Sequence, residues 1–139
     1  MRLISHRGNL AGRDPKNENH PDKISAVLSL GFDCEIDLWK KDNRWYLGHD
    51  APTHEVDLEF FSKPKLWIHA KNLDALNNIP RCLNFFWHQT DDFALTSENF
   101  IWTLPDKEVR EKSIIVDNSR NWREKHYNCF GVCTDYIYR

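Results

Sequence analysis

The segment CEIDLWKKDNRWYLGHD, residues 34–50, joins a strand pattern typical of a protein core to a set of ionisable side chains. Its first half alternates as a β-strand does, which predicts that Glu35 and Asp37 lie on the same face of that strand. The KDNR sequence at 41–44 predicts a hairpin turn, after which the chain returns as an antiparallel strand ending at His49. Two acids and an imidazole on a core-building segment indicate a binding site.

Short β-rich runs recur on both sides of this segment. They are RLISH (2–6), FDCEIDL (32–38), RWYLGH (44–49), KLWIHAK (65–71), NFFWHQ (84–89), NFIWTL (99–104), KSIIVDN (112–118) and FGVCTDYI (130–137). Several of these runs are almost continuously apolar, which is typical of strands that are covered on both faces.

The clearest helix signal between the strands is HPDKISAVLSLG, residues 20–31. Pro21 suits the first turn of a helix, and Gly31 is able to end one. Weaker helices are predicted at 56–63 and 73–82, and the connections in the second half of the chain allow only one or two helical turns. Alternating strands and helices predict parallel pairing with right-handed crossovers, with about seven parallel strands in all.

Almost every predicted strand is apolar where it begins and polar where it ends. The polar residues at these ends are His6, Glu35, Asp37, His69, Lys71, His88, Gln89, Asp117, Asn118, Thr134 and Asp135. Parallel strands bring their carboxyl ends to one rim, which is where ligands bind in α/β barrels and in open α/β sheets. The alternative is that these residues merely flank loops. We favour a site at the rim, because the parallel architecture itself predicts one there.

The acids and imidazoles of this set suit a metal-assisted reaction. Glu35 and Asp37 would repel each other unless a cation or a shared proton compensates their charge, and a hard divalent cation prefers such oxygen ligands. His6 and His49 have side chains that titrate near neutral pH, so they are candidates for the catalytic base and acid.

Two cationic side chains extend this pattern toward a phosphate. The Arg7 guanidinium is able to bind phosphate oxygens in a forked geometry, and Lys71 adds a point charge for the same anion. A cation, two imidazoles and two basic side chains together suit a phosphodiester substrate. Trp102, in FIWTLP, is a candidate for stacking on that substrate or forming the pocket wall, with packing in the core as the alternative.

Four motifs in this order resemble the N-terminal signature of the glycerophosphodiester phosphodiesterase family. The family has HRG, PEN, ExD and HD at similar spacing, and this chain has HRG (6–8), NEN (17–19), EID (35–37) and HD (49–50). Farther along, IHAK (68–71) falls where the family has an IExK strand, and GVCTDY (131–136) resembles the end of the family's last barrel strand.

The resemblance implies a TIM-barrel-like fold and metal-dependent hydrolysis of a glycerophosphodiester to an alcohol and a phosphomonoester, a reaction of lipid metabolism. It implies that a small-molecule phosphodiester is the substrate and that His6 and His49 are the catalytic imidazoles. It further implies metal coordination by Glu35, Asp37 and Glu18, and phosphate contacts by Arg7 and Lys71.

This chain departs from the family pattern in ways that affect the metal and the fold. His69 stands where the family has a glutamate metal ligand, so the expected cofactor is Mg²⁺, Ca²⁺ or Mn²⁺, with Zn²⁺ also admitted because imidazole favours transition metals. Asn17 replaces a proline. The chain has 139 residues, against about 250 in a typical TIM barrel. We therefore expect one domain over residues 1–139, a reduced or incomplete parallel β/α barrel, with completion by a partner chain in a homo-oligomer as one alternative.

The composition excludes several classes of partner. The net charge is −2 and the pI about 6.4, so the sequence predicts no surface for nucleic acid. A membrane span needs about 18 consecutive apolar residues, and the sequence has no such run. The chain begins directly with a strand-like segment, which makes a cytoplasmic location the expectation.

Two other functions remain open at this point. A degenerate barrel without catalysis would bind a phosphorylated small molecule, and both the short chain and His69 are consistent with that reading. A lipid-directed phospholipase of related fold is less favoured, because the sequence contains no amphipathic membrane-binding helix.

Overall fold

The structure, a computed structural model that describes residues 1–138, is built around one curled, mixed β-sheet. Its strands are β1 (Arg2–His6), β2 (Asp33–Lys41), β3 (Arg44–Leu47), β4 (His54–Val56), β5 (Leu66–Ala70), β6 (Phe85–Phe86), β7 (Phe93–Leu95), β8 (Ile101–Thr103), β9 (Ser113–Val116) and β10 (Gly131–Thr134). The helices are α1 (Pro21–Ser29), α2 (Leu58–Phe61), α3 (Leu73–Asn78) and the 3₁₀ helix η1 (Trp122–Lys125). No helix within residues 1–138 is long and apolar enough to cross a membrane.

Seven strands of the described chain pair in parallel, in the order β8-β9-β10-β1-β2-β5-β6. The first strand therefore lies between the last strand and the second. When the antiparallel strands β3, β4 and β7 are left aside, the other parallel strands pair in the order in which they follow along the chain. This arrangement confirms the predicted α/β class and the expected number of parallel strands, and it is compatible with a barrel-like fold. Within residues 1–138, β6 and β8 at the two ends of the order do not pair with each other.

The predicted hairpin is confirmed. β3 pairs antiparallel with the second half of β2, and Asp42 and Asn43 between them have φ of 51° and 62°. Such a two-residue turn with both φ values positive matches the twist of the flanking strands. The short strand β4 then pairs with β3, so the prediction of a helix from residue 56 is wrong at its start, and only 58–61 is helical.

The first helix forms where its sequence signals lie. The Nδ1 atom of His20 accepts a hydrogen bond from the Asp22 amide at the start of α1, and Pro21 occupies the first turn. Gly31 follows the end of the helix with φ of 91°, a conformation that glycine adopts without strain. After residue 89 the described chain has only the short η1, which agrees with the predicted lack of helices in the second half.

Aromatic rings fill the space enclosed by the curled sheet. A buried cluster joins β1, β5, β6, β8, β9 and β10 through Ile4, Trp67, Phe86, Trp102, Ile114, Val116 and Cys133. The Trp102 ring stacks on Phe86 at a centroid distance of 4.3 Å and lies 6.0 Å from Trp67. The Phe86–Trp102 contact bridges β6 and β8, so side-chain packing joins these two strands where no backbone pairing is present between them within residues 1–138.

One of the polar strand ends stabilises a loop instead of the rim. The Asp117 carboxylate, after β9, accepts hydrogen bonds of 2.6 Å from each of Lys125 Nζ, Tyr127 Oη and Ser119 Oγ. Burial would raise the pKa of Asp117, but these hydrogen bonds outweigh it and lower the pKa to about 2. Asp117 thus joins the end of β9 to the segment that contains η1.

We expect Asp117→Asn to lower the free energy of unfolding by about 1–3 kcal/mol at pH 7, because a carboxylate with charge-assisted hydrogen bonds is replaced by a neutral amide. The unfolded chain protonates this group near its usual pKa, and the folded chain only near pH 2. The stability difference between the two proteins should therefore be constant above about pH 5 and shrink as the pH falls toward 2.

Urea denaturation across this pH range measures the effect, with the exposed Asp91→Asn as control. A stability difference that does not change on acidification would contradict the assignment to Asp117.

Candidate functional site

A single cavity of about 600 Å³ lies at the carboxyl ends of the parallel strands. Six strands contribute to its lining. Four lining residues lie within strands and two follow the end of one: His6, Glu35, His69 and Trp102, and His88 and Asn118. The rim predicted from the apolar-to-polar pattern of the strands therefore encloses one space. Asp117 is the clear departure from that pattern, because its side chain is directed to the η1 loop.

Strand register brings the ionisable side chains together. The parallel pairing of β1 with β2 places His6 opposite Glu35, and that of β2 with β5 places Asp37 opposite His69. Partners in a parallel pair direct their side chains to the same face, so the four groups converge above the aromatic interior. Lys71 follows β5 and completes this side of the cavity.

Asp37 is fully buried and is held by groups from four other segments. The Asn19 side chain binds it twice, since Nδ2 donates to Asp37 Oδ2 at 2.9 Å and Oδ1 accepts from the Asp37 amide at 3.0 Å. Arg7 Nε lies 3.2 Å from the same Oδ2, and His69 Nδ1 lies 3.2 Å from Oδ1. Burial opposes ionisation, but the neighbouring His49 and His69 imidazoles and the Arg7 charge outweigh it and hold the pKa of Asp37 well below its usual range.

Glu35 lies in the opposite electrostatic environment, although it is only two residues away. Its side chain is buried, and its ion-pair contact is with His6, whose Nε2 lies 3.9 Å from Glu35 Oε2. Burial and the negative charge of Asp37 raise the pKa of Glu35 well above its usual value. The pair therefore resembles two carboxylates that share one site and compete for compensation.

Three of these side chains form a group that can hold a metal ion. One ligand atom from each of Glu35, Asp37 and His69 lies within 4.8 Å of the others, and all three residues are buried. Glu35 Oε2 and Asp37 Oδ1 have no hydrogen-bond partner, although both atoms are inaccessible to solvent. Buried polar atoms normally make a hydrogen bond, so two carboxylate oxygens that accept none, beside an imidazole, fit a bound cation.

Glu18, also predicted as a ligand, lies outside this group. Its Oε1 is 3.5 Å from Arg7 Nη1 and its Oε2 is 3.7 Å from Arg13 Nε. In this arrangement Glu18 orients Arg7, and its direct coordination of a metal stays a prediction.

Arg7 connects the acids of the site to one another. It has a left-handed backbone conformation with φ of 57°, which is uncommon for a residue other than glycine. Its guanidinium lies beside Asp37 and Glu18 and 3.4 Å from His49 Nε2. The predicted contacts of Arg7 and Lys71 with a phosphate stay predictions. Lys71 Nζ lies 3.9 Å from Asp37 Oδ1, on the cavity side.

The turn after β3 positions His49 over the same group. Gly48 precedes it and has no room for a side chain, because a Cβ there would lie 1.9 Å from the Ala51 carbonyl oxygen. The Gly48 carbonyl accepts a 2.6 Å hydrogen bond from Trp39 Nε1. His49 Nδ1 then lies 3.6 Å from Asp37 Oδ2, so both predicted imidazoles line one cavity.

Aromatic rings form another part of the cavity wall. His88 stacks on His69 with ring centroids 4.4 Å apart, and burial lowers the pKa of His88 to about 4, so this ring is neutral near pH 7. Trp102 lines the cavity, but only 3% of its surface is exposed, since it also packs in the interior cluster. Its contact with a substrate stays a prediction.

The sequence does not predict the contacts that two residues of the site, Asn19 and Asp135, make. Asn19 belongs to the NEN motif, but its bidentate contact with Asp37 depends on a left-handed backbone at φ of 62°, which the motif alone does not reveal. Asp135 was predicted only as a rim residue. Its Oδ1 lies 2.9 Å from His6 Nδ1 and accepts a hydrogen bond from Asn9.

Comparison of the chain with protein-family models, with curated proteins and with solved structures finds no match.

We expect the protein to bind one Mn²⁺ per chain, and Glu35→Gln to weaken that binding at least about 10-fold, because an amide removes the ligand charge while preserving shape. Isothermal titration with the metal alone measures the affinity, and paramagnetic line broadening locates the ion. Glu98→Gln removes an exposed carboxylate in a loop and serves as the matched control. Equal Mn²⁺ affinity in all three proteins would contradict a metal site at Glu35.

Proposed function

We propose that this protein is a metal-dependent hydrolase of small phosphodiesters of the glycerophosphodiester type, built on a reduced TIM-type barrel. One observation carries the proposal: the same cavity is lined by the His6 and His49 imidazoles, by the basic Arg7 and Lys71, and by Glu35 and His69 of the buried group suited to a cation. The resemblance of the HRG, NEN, EID and HD motifs to the glycerophosphodiester phosphodiesterases supports the same chemistry.

The reduced barrel is supported by strand order. Seven parallel strands follow one another in the order that a closed β/α barrel requires, with β1 beside β10. The stacking of Phe86 on Trp102 supplies an apolar closure between β6 and β8. On this proposal the helices of the second half are dispensable, because aromatic packing inside the barrel stabilises its strands.

The charges of the cavity suit a phosphodiester anion. Arg7 and Lys71 are cations on the cavity wall, and the acids beside them are buried beneath it. When bound by Glu35, Asp37 and His69, a divalent cation would withdraw charge from the phosphoryl oxygens. The imidazole of His69 favours Mn²⁺ or Zn²⁺ over Ca²⁺ or Mg²⁺, because nitrogen ligands suit transition metals.

The two imidazoles supply the proton transfers. A substrate hydroxyl adjacent to the diester attacks phosphorus, and its proton passes to one imidazole. The other imidazole protonates the alcohol oxygen as its bond to phosphorus breaks, which leaves a cyclic phosphodiester. Water then opens the cyclic ester with the proton roles reversed, giving a phosphomonoester, and His6 and His49 return to their starting protonation.

The second candidate is a binding protein for a phosphorylated small molecule. The chain length of 139 residues, short for a barrel enzyme, and His69 in the position of a glutamate ligand favour it. In this function the cavity binds a phosphate group and no bond of the ligand is broken.

We expect His6→Gln and His49→Gln each to lower kcat/KM by about 10²–10⁴-fold without unfolding the protein, because each removes a proton-transfer group. A panel of glycerophosphodiesters is assayed with Mg²⁺, Ca²⁺, Mn²⁺ or Zn²⁺, and circular dichroism checks the fold. The exposed His126→Asn is the control.

Near-normal turnover in either variant would remove that histidine from the mechanism. No turnover by the unmodified protein with any of these metals, together with measurable binding of a phosphomonoester, would support the binding protein instead.

A further inference from the structure

We propose that Asp135 holds His6 in one tautomer, with the proton on Nδ1 and the Nε2 lone pair directed into the cavity. Asp135 is thereby a positioning residue for the proton transfer at His6. The inference rests on the proposed function for its catalytic meaning, but the tautomer itself is a property of this chain that is measured without any substrate.

The contact between the two side chains determines where the proton lies. His6 Nδ1 and Asp135 Oδ1 are 2.9 Å apart, and the two side chains are 13% and 7% exposed. An ionised carboxylate has no hydrogen to donate, so the imidazole must be the donor. The hydrogen bond is charge-assisted and partly buried, conditions in which such bonds are strongest.

Asp135 is itself held in place by its neighbours. Asn9 Nδ2 donates to Asp135 Oδ1 at 2.9 Å, and the Asp135 carbonyl accepts from the Gly12 amide at 2.8 Å. Its own amide donates to Asn118 Oδ1 at 2.9 Å. Both the backbone and the carboxylate are therefore fixed, and the position that Asp135 offers His6 is set before any substrate binds.

Asn118 and Asp135 compete for His6 Nδ1, and each favours a different tautomer of the ring. Because its Oδ1 accepts from the Asp135 amide, its Nδ2 group is the one that faces His6, at 3.3 Å from Nδ1. An amide NH₂ at this position would donate to an unprotonated Nδ1 and so favour the opposite tautomer. The shorter bond to the Asp135 carboxylate prevails, which makes Asp135 the residue that decides the state of His6.

The tautomer determines whether the other ring nitrogen of His6, Nε2, is able to accept a proton. Nε2 faces the cavity, 3.9 Å from Glu35 Oε2, and in this tautomer it is a proton acceptor. It takes the proton of a substrate hydroxyl there, Nδ1 keeps its own proton, and Asp135 stays ionised and stabilises the imidazolium. With the opposite tautomer, Nε2 would already carry a proton and could accept nothing.

Nuclear magnetic resonance of the ¹⁵N-histidine-labelled protein tests the tautomer directly. Long-range ¹H–¹⁵N spectra at about pH 9, where imidazoles are neutral, distinguish a protonated ring nitrogen from an unprotonated one. The His6 signals are assigned by their loss in His6→Gln. We expect Nδ1–H in the unmodified protein and a switch to Nε2–H in Asp135→Ala, where Asn118 becomes the remaining partner of Nδ1. An Nε2–H tautomer in the unmodified protein, or no switch in Asp135→Ala, would overturn the proposal.

Asn118→Ala is the second variant, and it tests the tautomer even if Asp135→Ala does not fold. This variant removes the competing donor and leaves the carboxylate, so His6 should keep its proton on Nδ1. A switch of tautomer in Asn118→Ala would show that Asn118, and not Asp135, controls the ring.

Kinetics separates this inference from the proposed function. If the protein turns over a phosphodiester, Asp135→Ala should lower kcat by about 10²–10⁴-fold and change KM by less than about threefold, since the carboxylate does not touch the substrate. If no phosphodiester is turned over, the proposed function fails, and the spectra still decide whether Asp135 sets the tautomer.

Discussion

Two carboxylates buried on one face of β2 are the constraint to which the other side chains of the rim respond. Glu35 and Asp37 are 3% and 0% exposed, and an ionised carboxylate without compensation is costly at such depth. The period of two along a strand places both on the same face, so neither can turn away from the other. The loops around them must therefore supply positive charge and hydrogen-bond donors, and the neighbouring strands must bring imidazoles.

The compensation is uneven, and this asymmetry gives the site its chemical character. Asp37 receives the Asn19 amide, the Arg7 guanidinium and the His69 imidazole, and its pKa falls. For Glu35, burial and the charge of Asp37 outweigh the more distant Arg7 and Lys71 charges, and its pKa rises. A cation between the two acids would relieve their repulsion and contact the oxygen of each that accepts no hydrogen bond. The same electrostatic demand thus favours a metal ion at this position.

A packed apolar interior supports this polar rim from below. The interior consists of packed aromatic and aliphatic side chains, and the α-helices of the described chain, α1, α2 and α3, all end before residue 79. Polar strand ends can gather at the rim because the layer below them is dry and closely packed. Asp117 marks the boundary of the site, since its carboxylate stabilises the η1 segment and takes no part in the cavity.

Local patterns in the sequence were enough for the α/β class, for α1 and the β2–β3 hairpin, and for the expectation that the polar strand ends meet. These features depend on residue periodicity and turn chemistry, which act over a few neighbouring residues. The short strands β4 and β7 carry too few residues for a recognisable pattern. The contacts of the site could not be predicted, because they join residues far apart in the chain: His6 and Asp135 are separated by 129 positions. Only the register of the parallel strands, which the packed interior sets, decides that Asp37 faces His69 and that Asp135 reaches His6.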